Sequence, residues 1–158
     1  MSRKDILKLF VAIGICELAG VIGAAFTVSV IPTWYAGLAK PALNPPSWIF
    51  GPVWTMLYAL MGISAFLIWR RGLQQRNIRT ALIIFDVQLF LNAIWSVLFF
   101  GMRNPGAALL DIFLLWATII WTIAVFHKIS RPAAYILAPY LLWVSFAIYL
   151  NVEIWRLN

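Results

Sequence analysis

Between residues 88 and 99, Gln88, Asn92, Trp95, Ser96 and Phe99 recur at i, i+4, i+7, i+8 and i+11. On a helix that spacing gathers two amides, an indole, a hydroxyl and a phenyl ring on one face. The flanking residues are strongly apolar, and an amide in such surroundings must find a hydrogen-bond partner. Two roles satisfy it: the face joins helix to helix, or it is the wall of a ligand cavity. A second series follows, with Pro139, Trp143, Ala147 and Asn151 every four residues. Pro139 brings no backbone donor, so a kink is expected there that frees the carbonyl of Tyr135. The small Ala147 leaves room near Trp143. Trp95, Trp116 and Trp143 lie well inside apolar runs, where an indole N–H wants a partner. Trp34, Trp69 and Trp155 fit an interfacial aromatic belt instead.

Other chemistries find little support. One His and one Cys, His127 and Cys16, sit far apart and cannot make a metal site. No glycine-rich phosphate loop follows a strand, and no nucleophile stands beside a base. Three acids, Glu17, Asp86 and Asp111, interrupt apolar runs; each costs roughly 3 kcal/mol at mid-membrane depth. Asp111 shares a face with Thr118 and Thr122, which suggests a buried hydrogen-bond network. Structural and functional roles stay equally open for these acids.

The elements that must position these groups follow from composition. Of the 158 residues, 64% are hydrophobic and only 11% charged, too few charges to cover a soluble globule. The fold class expected is an all-α integral membrane bundle, with residues 1–158 forming a single membrane domain. A span needs about 20 apolar residues, and five stretches qualify: 6–30, 51–69, 80–102, 107–126 and 133–155. The runs are continuous rather than alternating, which argues against barrel strands. The first run is read as a retained span, since it is too long for a signal peptide and Glu17 interrupts it.

Five spans put the termini on opposite sides. Nine basic residues (Arg3, Lys4, Lys8, Arg70, Arg71, Arg76, Arg79, Lys128, Arg131) then fall on the N-terminal side, against Lys40, Arg103 and Arg156 on the other. That asymmetry predicts a cytoplasmic N-terminus and a C-terminus on the opposite side. The net charge of +7 is spread over short loops, which suits anionic headgroups and not nucleic acid.

The connection between the first two spans reads "WYAGLAKPALNPPSWIFGPVW", residues 34–54. Pro41, Pro45, Pro46 and Pro52 stiffen it, and Trp34, Tyr35 and Trp48 give it apolar mass to fold onto the bundle. Such a segment is a lid. Pro52 suits the first turn of the second span and sets Trp54 one turn in, facing lipid or the bundle mouth. A lid over a polar and aromatic interior suggests a site for a large, flat, apolar ligand. Small residues at Gly20 and Ala24, and at Ala19 and Gly23, offer a packing face for a dimer, so a purely structural or interaction protein is a further reading.

That loop, followed by "LNAIWSVLFFG" and "PYLLWVSFAIYLN", resembles the tryptophan-rich sensory protein family, also called the translocator protein or peripheral-type benzodiazepine receptor family (TspO/MBR). The resemblance runs from Trp34 to the end of the chain. It implies a five-helix bundle in a bacterial membrane, inner or outer, often homodimeric, with the first loop capping a pocket. It implies a receptor or carrier that binds tetrapyrroles such as protoporphyrin IX and haem-type pigments, with porphyrin as ligand and no required cofactor, in a sensory, regulatory or transport role. By motif, the pocket residues correspond to Tyr35, Pro45, Trp54, Asn92, Trp95, Ser96, Trp143 and Ala147. In bacterial members two pocket tryptophans, matching Trp54 and Trp143, are tied to light- and oxygen-dependent porphyrin degradation, the one enzymatic role the resemblance suggests. Lys40 and Arg103 are candidates to meet porphyrin propionates or lipid phosphate. Two departures stand out. Leu43 replaces the usual tryptophan before "NPP", and Val152 stands where animal members carry the tyrosine of a proposed cholesterol motif. Tyr149 is one residue too far from Arg156 to replace it, so cholesterol is not the expected ligand.

Overall fold

The computed structural model describes residues 2–158 and is helical throughout its spans. The helices are α1 (Arg3–Thr27), α2 (Phe50–Trp69), α3 (Arg76–Ser96), α4 (Pro105–Ile129), α5 (Arg131–Ile136) and α6 (Ala138–Leu157). Five segments are long and apolar enough to cross a bilayer: Arg3–Thr27, Ser47–Trp69, Arg76–Gly101, Pro105–Ile129 and Arg131–Leu157. Each overlaps one expected span, and the protein is an integral membrane helical bundle.

The helix ends explain the shifts in boundary. Ser2 and Asp5 form a reciprocal cap that starts α1 early: the Asp5 N–H donates to Ser2 Oγ at 3.2 Å, and the Ser2 N–H donates to Asp5 Oδ2 at 3.1 Å. The regular part of α1 stops at Thr27, and a wide helical turn over Ile31–Tyr35 carries the chain past Pro32 into the loop. Asn104 caps α4 by accepting from the Ala107 N–H at 3.0 Å, with Pro105 in the first turn. The fifth span is broken at Leu137, two residues before Pro139, and the Leu137 N–H turns back to Ala134 at 3.2 Å. This is the break anticipated from the proline.

α1 packs on α2 and α3, α3 on α4, and α4 on both α5 and α6. Close approach of α1 and α2 depends on Gly62: a Cβ there would lie 2.5 Å from the Ile13 Cα. Ser64 ties α2 to α5 by donating to the Ala133 carbonyl at 2.7 Å. A stacked pair, Phe85 and Phe126 at 5.9 Å, fills the space between α3 and α4. The main core, which includes Leu57, Met61, Ile112, Leu115 and Ile119, occupies the middle and N-terminal side of the bundle. α2 packs well on α5 but makes little contact with α6. The break at Leu137 therefore lets the short α5 pack on α2 while the longer α6 stands off it, and a space remains toward the loop.

Three details depart from expectation. Trp48 is 74% exposed, so of the three aromatic residues expected to hold the loop only Trp34 and Tyr35 pack on the bundle. Two glycines of α1 face inward: a Cβ on Gly20 would meet Tyr58 at 2.5 Å, and one on Gly23 would meet the Ser96 hydroxyl at 3.0 Å. Gly20 and Gly23 thus admit neighbours of the same chain, while Ala24 of the same series is exposed. Asp111 builds no network with the threonines. Thr118 and Thr122 donate to carbonyls of their own helix, and Asp111 Oδ2 is buried without a partner.

Candidate ligand-binding site

A cavity of about 300 Å³ opens between α1, α2, the end of α3 and α6, beneath the loop. That is the lower end of the range for small-molecule pockets, about 300–1,000 Å³. Aromatic rings make up a third of its lining residues, among them Tyr35, Phe50, Trp54, Tyr58, Trp95 and Trp143.

The walls are held by ring contacts and a few hydrogen bonds. Phe50 meets the Trp143 ring edge-on at 6.1 Å, and Trp54 lies 5.5 Å from Tyr58 and 6.4 Å from Tyr140. Trp95 stacks on Phe99 at 5.0 Å. Its indole N–H donates to Asn151 Oδ1 at 3.0 Å, and Asn151 donates in turn to the Pro105 carbonyl at 2.8 Å. One chain of bonds thus links α3, α6 and the start of α4. Trp116 is satisfied outside the cavity, donating to Ser145 Oγ at 2.9 Å. The indole N–H groups of Trp54 and Trp143 have no protein partner among the described residues.

The proline loop joins two residues of the cavity wall, Tyr35 and Ser47. Tyr35 is buried and donates to Asn44 Oδ1 at 2.9 Å, while Trp34 packs edge-on against Phe99 at 5.9 Å. Asn158 clasps the loop from the other end of the sequence: its side chain accepts from the Ala39 N–H and donates to the Ala39 carbonyl, both at 3.0 Å. Lys40 folds back on its own turn, donating to the Ala36 and Leu38 carbonyls with its ammonium 4.9 Å from the Tyr35 ring.

Six of the eight residues singled out from the sequence line this cavity: Tyr35, Trp54, Trp95, Ser96, Trp143 and Ala147. Asn92 and Pro45 are not on its wall. Asn92 is buried beneath it, where its amide accepts from the Tyr58 hydroxyl and donates to the Tyr140 hydroxyl at 3.0 Å. Its two hydrogen-bonding ends are thus used within the protein, so it supports the cavity without facing it. Pro45 lies in the loop, and its carbonyl accepts from the Asn44 amide at 3.1 Å. Lys40 and Arg103 also lie off the wall. Gln88, on the same helical face, is buried with neither end of its amide bonded.

Sequence reasoning passed over Tyr58, Tyr140 and Phe50. Tyr58 lies four residues after Trp54 and Tyr140 three before Trp143, so helical spacing from each chosen tryptophan leads to them. Glu17, noted only as an intramembrane acid, also lines the cavity.

The sequence pattern of the TspO/MBR family matches residues 12–156. A "Tryptophan-rich protein TspO" of Chlorobaculum tepidum is 44% identical over 156 residues, covering 99% of both chains. A "Translocator protein" of Homo sapiens is 38% identical over 139 residues, covering 87% of this chain and 82% of its own. A "Tryptophan-rich sensory protein" of Cereibacter sphaeroides is 37% identical over 125 residues, covering 79% and 77%. With five membrane-spanning segments and a match over nearly its whole length, the chain belongs to the TspO/MBR family.

Proposed function

We propose that the protein is a membrane receptor or carrier that takes a tetrapyrrole, or a similarly flat apolar molecule, into the cavity under the proline loop. One observation carries the reading: a cavity of about 300 Å³ lined in part by the rings of Tyr35, Trp54, Tyr58, Trp95 and Trp143, with the Trp54 and Trp143 indole N–H groups unpartnered among the described residues. Apolar burial and stacking supply most of the affinity in such a site, and a few polar groups set orientation. The translocator and sensory names of its relatives agree with either a transport or a signalling role. The basic asymmetry of its loops supports a cytoplasmic N-terminus, and the family likeness supports a homodimer in a bacterial membrane.

Titrating the purified protein in neutral detergent with protoporphyrin IX tests the site, because the pigment quenches nearby tryptophans. Saturable quenching is expected, weakened at least tenfold in Trp54→Ala and Trp143→Ala together. Unsaturable quenching, or wild-type affinity in that double variant, rejects the assignment.

A second reading is favoured by the placement of Trp54 and Trp143 on one cavity: light- and oxygen-dependent breakdown of the bound pigment. Illumination of the complex then bleaches the porphyrin band, and Trp54→Phe with Trp143→Phe slows the loss. Equal bleaching in wild type and variant leaves binding alone.

A further inference from the structure

Most polar groups on the cavity wall are already engaged. Tyr35 bonds Asn44, Tyr58 bonds Asn92, and Asn151 bonds both Trp95 and Pro105. The hydroxyls of Thr27 and Thr55 turn to carbonyls of their own helices. Glu17 is the one acidic residue among those that line the cavity, and like the Trp54 and Trp143 indoles it makes no hydrogen bond or ion pair among the described residues. No lysine, arginine or histidine lines the cavity.

Position along the helices fixes the depth of Glu17. It is the lining residue of α1 farthest from the loop, ten residues before Thr27, or about 15 Å along the axis. Tyr58, Trp95 and Trp143 hold the same place on α2, α3 and α6. Glu17 therefore belongs to the cavity floor, at membrane depth, one turn from the Gly20 surface against which Tyr58 rests. An acceptor in such surroundings gains from any donor that reaches it, and more from a charged one. A second carboxylate brought to the same place finds no basic partner, since no lysine, arginine or histidine lines the cavity, and its charge stays unpaired in an apolar setting.

We propose that Glu17 determines specificity at the floor of the cavity: it selects flat aromatic ligands whose buried edge carries an N–H donor or a protonated nitrogen, and turns any carboxylate-bearing edge toward the loop. This rests on the cavity being the binding site, and it adds the chemistry of the ligand end that enters first. It also orients a dicarboxylic pigment, with its acidic edge outward beneath the loop.

Three pyrene probes of one shape separate the two claims: pyrene itself, 1-pyrenemethylamine and 1-pyrenecarboxylate, each titrated by tryptophan-to-pyrene energy transfer in an uncharged detergent. Wild type is expected to bind the ammonium probe at least tenfold more tightly than the carboxylate. Glu17→Gln is expected to bring that ratio within about threefold, the preference being read as the ratio of the two probes within each protein. Glu17→Leu provides the same comparison should the amide variant fold poorly. A wild type without preference, or a preference that persists in both variants, overturns the role of Glu17 while leaving the cavity in place. Failure of pyrene and protoporphyrin IX alike to bind wild type rejects the cavity as a site, and the selectivity with it.

Discussion

Replacing Asn92 separates two ways a polar residue can matter to a ligand site. Asn92 is 3% exposed and joins Tyr58, 5% exposed, to Tyr140, 1% exposed. It accepts from the first hydroxyl and donates to the second at 3.0 Å. In Asn92→Ala both bonds go. Hydrogen bonds between membrane helices average about 0.6 kcal/mol and reach about 1.7, so the pair contributes about 1–3 kcal/mol. The Tyr58 hydroxyl also loses its acceptor while buried, which moves the expected loss to about 2–3 kcal/mol. Unfolding in detergent micelles titrated with SDS measures it, and the molecule carries its own reporter. Cys16 is the sole thiol and 1% exposed, so its alkylation follows opening of the core. Tyr140→Phe should cost less in the Asn92→Ala background than in wild type, by about 0.6–1.7 kcal/mol for a single bond. Protoporphyrin affinity should move less than about threefold, the equivalent of 0.6 kcal/mol. Normal stability with a tenfold loss of affinity would refute the reasoning, since it would show the amide meeting ligand directly. Additive costs for the two substitutions would refute the bond between them.

Gly62→Ala should destabilise the bundle by about 1–3 kcal/mol or more, because its Cβ would press on the Ile13 backbone, which cannot turn aside. Gly20→Ala should cost less in the same SDS titration, since the edge of the Tyr58 ring is what must move. Trp95→Phe removes the bond to Asn151 and should cost about 0.6–1.7 kcal/mol. Asn158→Ala frees the loop at Ala39; amide exchange and protease cleavage at 36–46 should speed up while the SDS midpoint of the bundle changes little. An unchanged loop in that variant would mean the clasp holds nothing.

Much of the architecture is written in composition. Five apolar runs at bilayer length leave few options, because a backbone in lipid must satisfy its own hydrogen bonds. Local rules also reach the break near Pro139, which has no N–H to donate, and the inward turn of the Asn92 face. Two kinds of feature were not legible. One is the division of polar groups between supporting the cavity and facing it. Asn92 and Ser96 share a helical face, yet one is used by two tyrosines and the other lines open space. The other is the role of the small residues on α1, where the same glycines suit a partner chain or a neighbouring helix.

The sequence alone determined that the chain is a helical membrane protein with a rigid aromatic loop, because span length, proline geometry and the cost of bare backbone in lipid are local matters. Tertiary structure decided which rings enclose the cavity, that Trp48 stays outside it, and that Glu17 reaches its floor. Those outcomes depend on where α2 leaves α6 and on which neighbour fills the bare face of Gly20, Gly23 and Gly62, and these are contacts between residues far apart in the chain.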